Sequence, residues 1–394
     1  MTELDYRPFD CDNHYYEAED AFTRHLDPAW GPRTVMWCNI GKRRYHVVGG
    51  KISFAVMNPT FNPIAKAGAM FDFFRGNPDR KEPMAFLQER EPIRPEYRNR
   101  DARLKVMDQQ GIDACWMFPT LGVLYEEALK RDTEATTVTF RAFNRWLNED
   151  WGLCYQDRIM GAPYIPMVDP AFAAGELAWA LQNGARVICL RPAAAHTASG
   201  PVSPADPLFD SFWGLANEAG ITVVVHASDS GYSGNGYVKE GFSASVSENQ
   251  GRPTVTTFGF ERAACDFLIT MVFDKLFERF PNLRLASVEN GAEFLPGMLK
   301  KVAANACRFP RYFKEDPVDL FKQHVWINPF WEDSSTELVE IMGSDRVLFG
   351  SDWPHIEGMP EPLDYLTELQ GMDDKARRNV LRDNTLALNE RRPV

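Results

Sequence analysis

The chain of 394 residues is poor in basic charge, in histidine and in paired cysteines. Lys and Arg number 43 against 55 Asp and Glu, giving a formal net charge of −12. Nucleic-acid backbones are held by clustered Lys and Arg, so this balance argues against a nucleic-acid partner and fits solubility instead. The seven cysteines (Cys11, Cys38, Cys115, Cys154, Cys189, Cys265 and Cys307) are odd in number and form no C-x-x-C pair. That excludes a disulfide framework and leaves them as small hydrophobes in a reducing compartment. No apolar run approaches a membrane span. The opening MTELDYRPFD is polar and acidic, unlike a secretory leader. A soluble, cytoplasmic protein with no membrane partner is expected.

What is present suits a large core: 44% of residues are hydrophobic, with 27 Phe and 10 Trp. Short apolar runs alternate with amphipathic stretches, the pattern of parallel α/β architecture. Eight runs read as strands: Phe9–His14, Asp113–Phe118, Ile159–Met167, Arg186–Arg191, Ile221–His226, Arg284–Glu289, His324–Pro329 and Arg346–Asp352. Several are almost continuously apolar, as strands covered on both faces are. Helices are expected at Thr139–Asp150, Phe172–Gln182, Leu208–Ala219, Ala264–Arg279, Ala292–Ala306, Ser335–Met342 and Lys375–Asp383. Gly184, Gly220 and Gly343 stand at or near helix ends, and Ser334 or Ser335 opens a helix. The expectation is an α/β chain forming one (β/α)8 TIM-barrel domain over residues 1–394.

Acids and imidazoles end several of these runs. Asp12 and His14 are two apart on the first strand, so they share a face. His226 ends Val223-Val224-Val225, Glu289 ends Leu285-Ala286-Ser287-Val288, and Asp352 follows Phe349-Gly350-Ser351. C-terminal strand ends converge in such a barrel, and mixed carboxylate and imidazole donors suit a divalent metal. Of the seven histidines, His14 and His226 are the best ligand candidates. A single His at a strand end is more often a satisfied core residue; the combination carries the argument. His355 lies on the catalytic side, placed to bond substrate or a ligand carboxylate. His324 opens a strand at the opposite end. Arg191 ends the fourth strand and could bind a substrate carboxylate; an internal pair with Glu289 or an Asp weighs nearly as much. Arg98, Arg100 and Arg103 read as a solvated helix face.

Two connections exceed ordinary loops, at about 28–95 after strand one and 227–262 after strand five. The first carries Trp30, Trp37, Tyr45, Phe54, Phe61, Phe71, Phe73 and Phe74; the second carries Tyr232, Tyr237 and Phe242. Both follow candidate site strands, so substrate walls or lids are expected, with a dimer contact or an auxiliary hairpin as the alternative.

D-x-H-x-x-E at Asp12–Glu17, the His226 strand, E-N-G at Glu289–Gly291 and G-S-D-W-P-H at Gly350–His355 resemble the amidohydrolase-related family. This is the branch of the amidohydrolase superfamily that includes aminocarboxymuconate-semialdehyde decarboxylase. The resemblance implies a distorted barrel with one divalent metal, held by Asp12, His14, His226 and Asp352. Zn²⁺ is expected first, with Mn²⁺ or Fe²⁺ as alternatives, and a homodimer is expected. Two departures stand out. Many members have H-x-H where this chain has Asp12, and the aromatic-acid decarboxylases place a His where this chain has Glu289.

The first expectation for function is a metal-dependent hydrolase acting on an amide, ester, lactone or activated C–C bond of a small aromatic or carboxylated molecule. Asp352 would serve as general base, with Glu289 and His355 as further catalytic groups and Arg191 on the substrate. The alternatives are nonoxidative decarboxylation of an aromatic or enol acid, and a noncatalytic metal-bearing protein.

Overall fold

A computed structural model describes residues 4–56, 58–232, 255–330 and 333–394. Its centre is a ring of parallel strands: β1 (Phe9–Tyr15), β2 (Ala114–Pro119), β3 (Ile159–Gly161), β4 (Val187–Leu190), β5 (Thr222–His226), β6 (Arg284–Val288) and β7 (Val325–Ile327). Ladders join β1 to β2 and β2 to β3, and run unbroken from β4 through β5 and β6 to β7. The extended segment 347–350 fills the eighth position. It bridges Ile327 through Val347, and Cys11 N–H donates to Phe349 O at 2.9 Å. Between β3 and β4 the ring closes through Tyr164 and Cys189.

This ring is a distorted barrel, and each distortion has a local cause. β1 carries one extra residue between Asp10 and Asn13 relative to β2, a bulge that re-aims the strand's side chains. β3 stops at Gly161, shorter than the sequence suggested, because Pro163 and Pro166 cannot donate to a ladder. β6 stops at Val288, and the expected eighth strand remains an extended segment. Glu289 and Asp352 both take left-handed backbone there, with φ of 59° and 53°. His324 ends the helix Pro317–His324 rather than opening a strand. It stacks on Phe277 and contacts Leu283 O at 2.7 Å.

Helices surround the ring, and the apolar face of Thr133–Asp150 buries Phe140, Phe143 and Leu147 as its spacing implies. Ser334 caps Ser335–Met342 by accepting Glu337 N–H. Gly220 provides a left-handed cap. The long expected helix at Ala264–Arg279 is two, Gly259–Phe273 and Leu276–Arg279. No described helix is long and apolar enough to cross a membrane.

The first insertion forms an antiparallel hairpin, Val35–Ile40 with Arg43–Val48, and a small pair, Ile64–Ala65 with Arg90–Glu91. Among the described residues it reaches the mouth of the barrel beside His355. Gly68 N–H donates to His355 O, and Phe61 packs on Tyr16, whose ring lies 5.8 Å from His355. Its other aromatics mostly pack away from the mouth: Tyr45 on Phe54, Trp37 on His46, Phe73 on Phe74. Of the second insertion, 233–254 lie outside the described residues, Tyr237 and Phe242 among them.

The eighth segment packs tightly on β1. A Cβ built on Gly350 would lie 2.6 Å from Asp12 Cβ and 3.0 Å from Asn328 Nδ2. Gly350→Ala should therefore displace Asp12 and destabilise the fold by about 1–3 kcal/mol, the usual effect of overpacking. Wild-type melting temperature together with wild-type metal content would contradict this.

Candidate metal centre

The strand ends converge as their positions imply. Asp12 and His14 leave β1, His226 ends β5, Glu289 follows β6, and Asp352 and His355 follow the eighth segment. His14 Nε2 lies 3.2 Å from Asp12 Oδ1 and 3.3 Å from Asp352 Oδ1. His226 Nε2 lies 3.4 Å from both Asp12 Oδ1 and Glu289 Oε2. One ligand atom from each of Asp12, His14, His226 and Glu289 falls within 4.8 Å of the others. Asp352 belongs to two neighbouring groups, one with His14 and His355, the other with Glu289, His355 and Glu357. Of the four donors expected from the sequence, Asp12, His14 and His226 thus fall in one group, which contains Glu289 where Asp352 was expected; Asp352 groups with His14 but not with Asp12 or His226.

These spacings fit a shared ion. Ligands about 2.1 Å from one metal stand about 3.0–3.4 Å apart at octahedral to tetrahedral angles. His226 Nδ1 faces Ala227 O at 2.8 Å, so it carries the ring hydrogen and leaves Nε2 as a lone pair toward Asp12 and Glu289. His14 Nε2 and both Asp352 oxygens are buried without a hydrogen-bond partner among the described residues. Buried polar atoms without partners are costly, and a cation at their focus satisfies them.

Electrostatics agree. Burial opposes ionisation of Asp12, but hydrogen bonds and charge from His14 and His226 outweigh it and hold that carboxyl below the usual range. Burial pushes Glu289 well above that range, with the charges of Asp12 and Glu357 adding to it. Asp352 is likewise raised by burial, then by Glu289, Glu357 and Asp12. Burial pushes Glu357 up to about 6 and His14 down to about 4.

Several supporting residues carried no clear signal. Asp10 is wholly buried and accepts from the backbone N–H groups of Asp12 and Ser351, from Asn13 Nδ2 and from Ser351 Oγ, clamping β1 to the eighth segment. An acid inside an apolar strand was the available sign. Arg103 is not solvated: fully buried, it donates to His14 O at 2.7 Å, to Glu96 O and to Asn13 Oδ1. Glu357, two residues past His355, was missed because it follows the turn rather than the strand. Glu17 accepts from Leu121 and Gly122 N–H and so anchors the start of the helix Gly122–Leu129.

Arg191 is buried, but Glu289 is not its partner. Its Nε lies 3.1 Å from Glu126 and its Nη1 2.7 Å from Glu127, while Nη1 also donates to Asp229 O. Glu126 in turn accepts from Tyr164 Oη at 2.8 Å. Nη2 has no hydrogen-bond partner among the described residues.

The sequence matches the amidohydrolase family profile over residues 10–388. The chain belongs to that family. An amidohydrolase from Mycobacterium avium subsp. paratuberculosis K-10 superposes with a TM-score of 0.91 at 39% identity, covering 98% of this chain and 100% of that one. Gamma-resorcylate decarboxylase of Rhodococcus jostii (strain RHA1) is 24% identical over 274 residues, 64% of this chain and 77% of that protein. A dihydroxybenzoic acid decarboxylase from Polaromonas sp. JS666, solved with bound manganese and the inhibitor 2-nitroresorcinol, shares the fold. Its TM-score is 0.61 at 18% identity, over 82% of this chain and 93% of that one. The chain is therefore an amidohydrolase-superfamily enzyme, and its donor set fits a divalent metal.

The Arg191–Glu126 pair yields a stability test. Arg191→Met would strand Glu126, whose side chain is only 4% exposed. Breaking a buried pair from one side typically costs about 3–5 kcal/mol. Chemical denaturation should show a loss of that size; a loss below about 1 kcal/mol would mean the pair is solvated.

Proposed function

We propose that the enzyme catalyses metal-dependent nonoxidative decarboxylation of a hydroxylated aromatic or enol carboxylic acid. The observation that carries this reading is Asp352, a buried carboxyl beside the metal donors with Glu289 and Glu357 around it. Burial and those neighbouring charges favour its protonated form. A proton held there suits delivery to carbon better than removal from water. The hydrolytic reading, put first from the sequence, needs Asp352 as an ionised base and draws no support from the relatives. Those named above include enzymes acting on resorcylate and dihydroxybenzoate.

A bound divalent ion would supply Lewis-acid attraction for the substrate's carboxylate and an adjacent hydroxyl. Asp12, His14 and His226 would hold it, with Glu289 or Asp352 completing the set. Mn²⁺ suits these carboxylate-rich donors; Zn²⁺, expected first, has no particular support. The bond from ring carbon to carboxylate breaks, its electron pair stays on carbon, and Asp352 gives that carbon its proton. Glu289 takes the place of the decarboxylases' strand-six His and raises the proton affinity of Asp352. His355 orients Asp352 from 2.8 Å. Arg191 offers Nη2 to a substrate anion. Two glutamates already balance its charge, so it supplies a hydrogen bond rather than net attraction.

The test is enzyme loaded with one equivalent of Mn²⁺ and given a panel of hydroxybenzoates that includes 2,6-dihydroxybenzoate. CO₂ release is expected, and in D₂O the product should carry deuterium at the carbon that lost the carboxylate. Asp352→Asn should lower turnover about 100-fold or more, the usual size of proton-transfer assistance, with the fold intact. Turnover of esters or amides without CO₂ release, or near-normal activity in Asp352→Asn, would overturn the assignment.

A further inference from the structure

We propose a second divalent-cation site, built from Glu289, Asp352, His355 and Glu357 and sharing Glu289 with the metal centre described above. One ligand atom from each of these side chains lies within 4.8 Å of the others. An acidic cluster alone would not define a site; the hydrogen bonding of His355 does. Thr120 Oγ1 has a single hydrogen, which it donates to Tyr15 O at 2.8 Å. Toward His355 Nε2, also at 2.8 Å, the hydroxyl must therefore accept. Nε2 then carries the ring hydrogen of the neutral imidazole, and Nδ1 presents a bare lone pair.

That lone pair faces Asp352 Oδ1 at 2.8 Å. Neither Nδ1 nor either Asp352 oxygen has a hydrogen-bond partner among the described residues, and the Asp352 side chain is only 2% exposed. Two buried lone pairs aimed at each other repel unless a proton or a cation stands between them, and a shared cation can take the proton's place. Their spacing is close to the ~3.0 Å between adjacent octahedral ligands at about 2.1 Å.

Charge points the same way. Asp12, Glu289, Asp352 and Glu357 bring four carboxylates into one pocket. One divalent ion balances two of them; two ions balance all four. Arg103, whose charge is felt at His355, is committed to Asn13 and to the carbonyls of His14 and Glu96. Three oxygens and one nitrogen make a hard to borderline site, suited to Mn²⁺ or Mg²⁺. One consequence rests on the decarboxylase reading. The second ion and the proton compete for Asp352, so filling this site sends that proton to solvent and suppresses CO₂ release.

The holoenzyme is stripped with a chelator and titrated with Mn²⁺ alone. Bound metal is counted by plasma mass spectrometry, and the electron paramagnetic resonance signal is followed. Two Mn²⁺ per chain are expected, with the isolated-ion signal broadened by coupling as the second binds. Glu357→Gln and His355→Phe should each retain one ion with an uncoupled signal and an unchanged circular dichroism spectrum. Thr120→Val, which removes the acceptor for Nε2–H, should weaken the second ion roughly tenfold or more and leave the first in place. Saturation of the unmodified enzyme at one uncoupled ion overturns the proposal, as do two ions in Glu357→Gln. Two ions with undiminished CO₂ release would confirm the site and refute Asp352 as proton donor. Two ions with no CO₂ release at any loading would confirm the site and refute the decarboxylase reading.

Discussion

Four carboxylates share one buried pocket at the mouth of this barrel, and the surrounding structure answers to their charge. Carboxylates out of water are costly unless paired, hydrogen-bonded or metal-bound. Two of them, Asp12 and Glu289, stand against His226, and Asp352 stands against His14 and His355. No Lys or Arg forms an ion pair with any of the four among the described residues. The basic groups at hand are imidazoles, two of which burial holds toward the neutral form. Neutral imidazoles cannot balance the acids, but they can share a cation with them. The same arrangement that would be a defect in an empty core therefore fits a cation.

Holding such groups together requires a frame that does not yield. Asp10 supplies part of it, accepting hydrogen bonds from both β1 and the 351 backbone. Arg103 supplies another part by fixing the carbonyl of His14 from beneath while lying over the Trp353 ring at 4.4 Å. The backbone stores strain at the site as well. Glu289 and Asp352 both hold the left-handed conformation that side chains with a Cβ seldom adopt.

The ring of strands was legible because each is a short apolar run, and Asp12, His14, His226 and Asp352 were legible because each ends one. What escaped was set by contacts between distant segments. Arg103 reads as exposed on any helical pattern, yet β1 recruits it through carbonyls that carry no sequence signal. Arg191 was expected to meet Glu289 or an Asp; it meets Glu126 and Glu127, which lie on the helix after β2. The third strand looked long because Ala162–Met167 is apolar, but its prolines end the ladder. The bulge in β1 between Asp10 and Asn13 had no composition of its own, since it arises from pairing with β2.

Glu289, just past the sixth strand, bears on what the site can do. An imidazole at that place could carry positive charge and would help Asp352 ionise. A carboxylate does the opposite, since each acid in the group makes its neighbours harder to deprotonate. Burial and the neighbouring acids oppose ionisation of Glu289, Asp352 and Glu357 alike. Such a set gives a proton readily only when something electron-rich forms beside it. A carbon that has just lost CO₂ is such a partner, whereas a water molecule awaiting deprotonation is not. Under the decarboxylase reading proposed above, Glu289 keeps the proton among a cluster of carboxyls rather than on an imidazole.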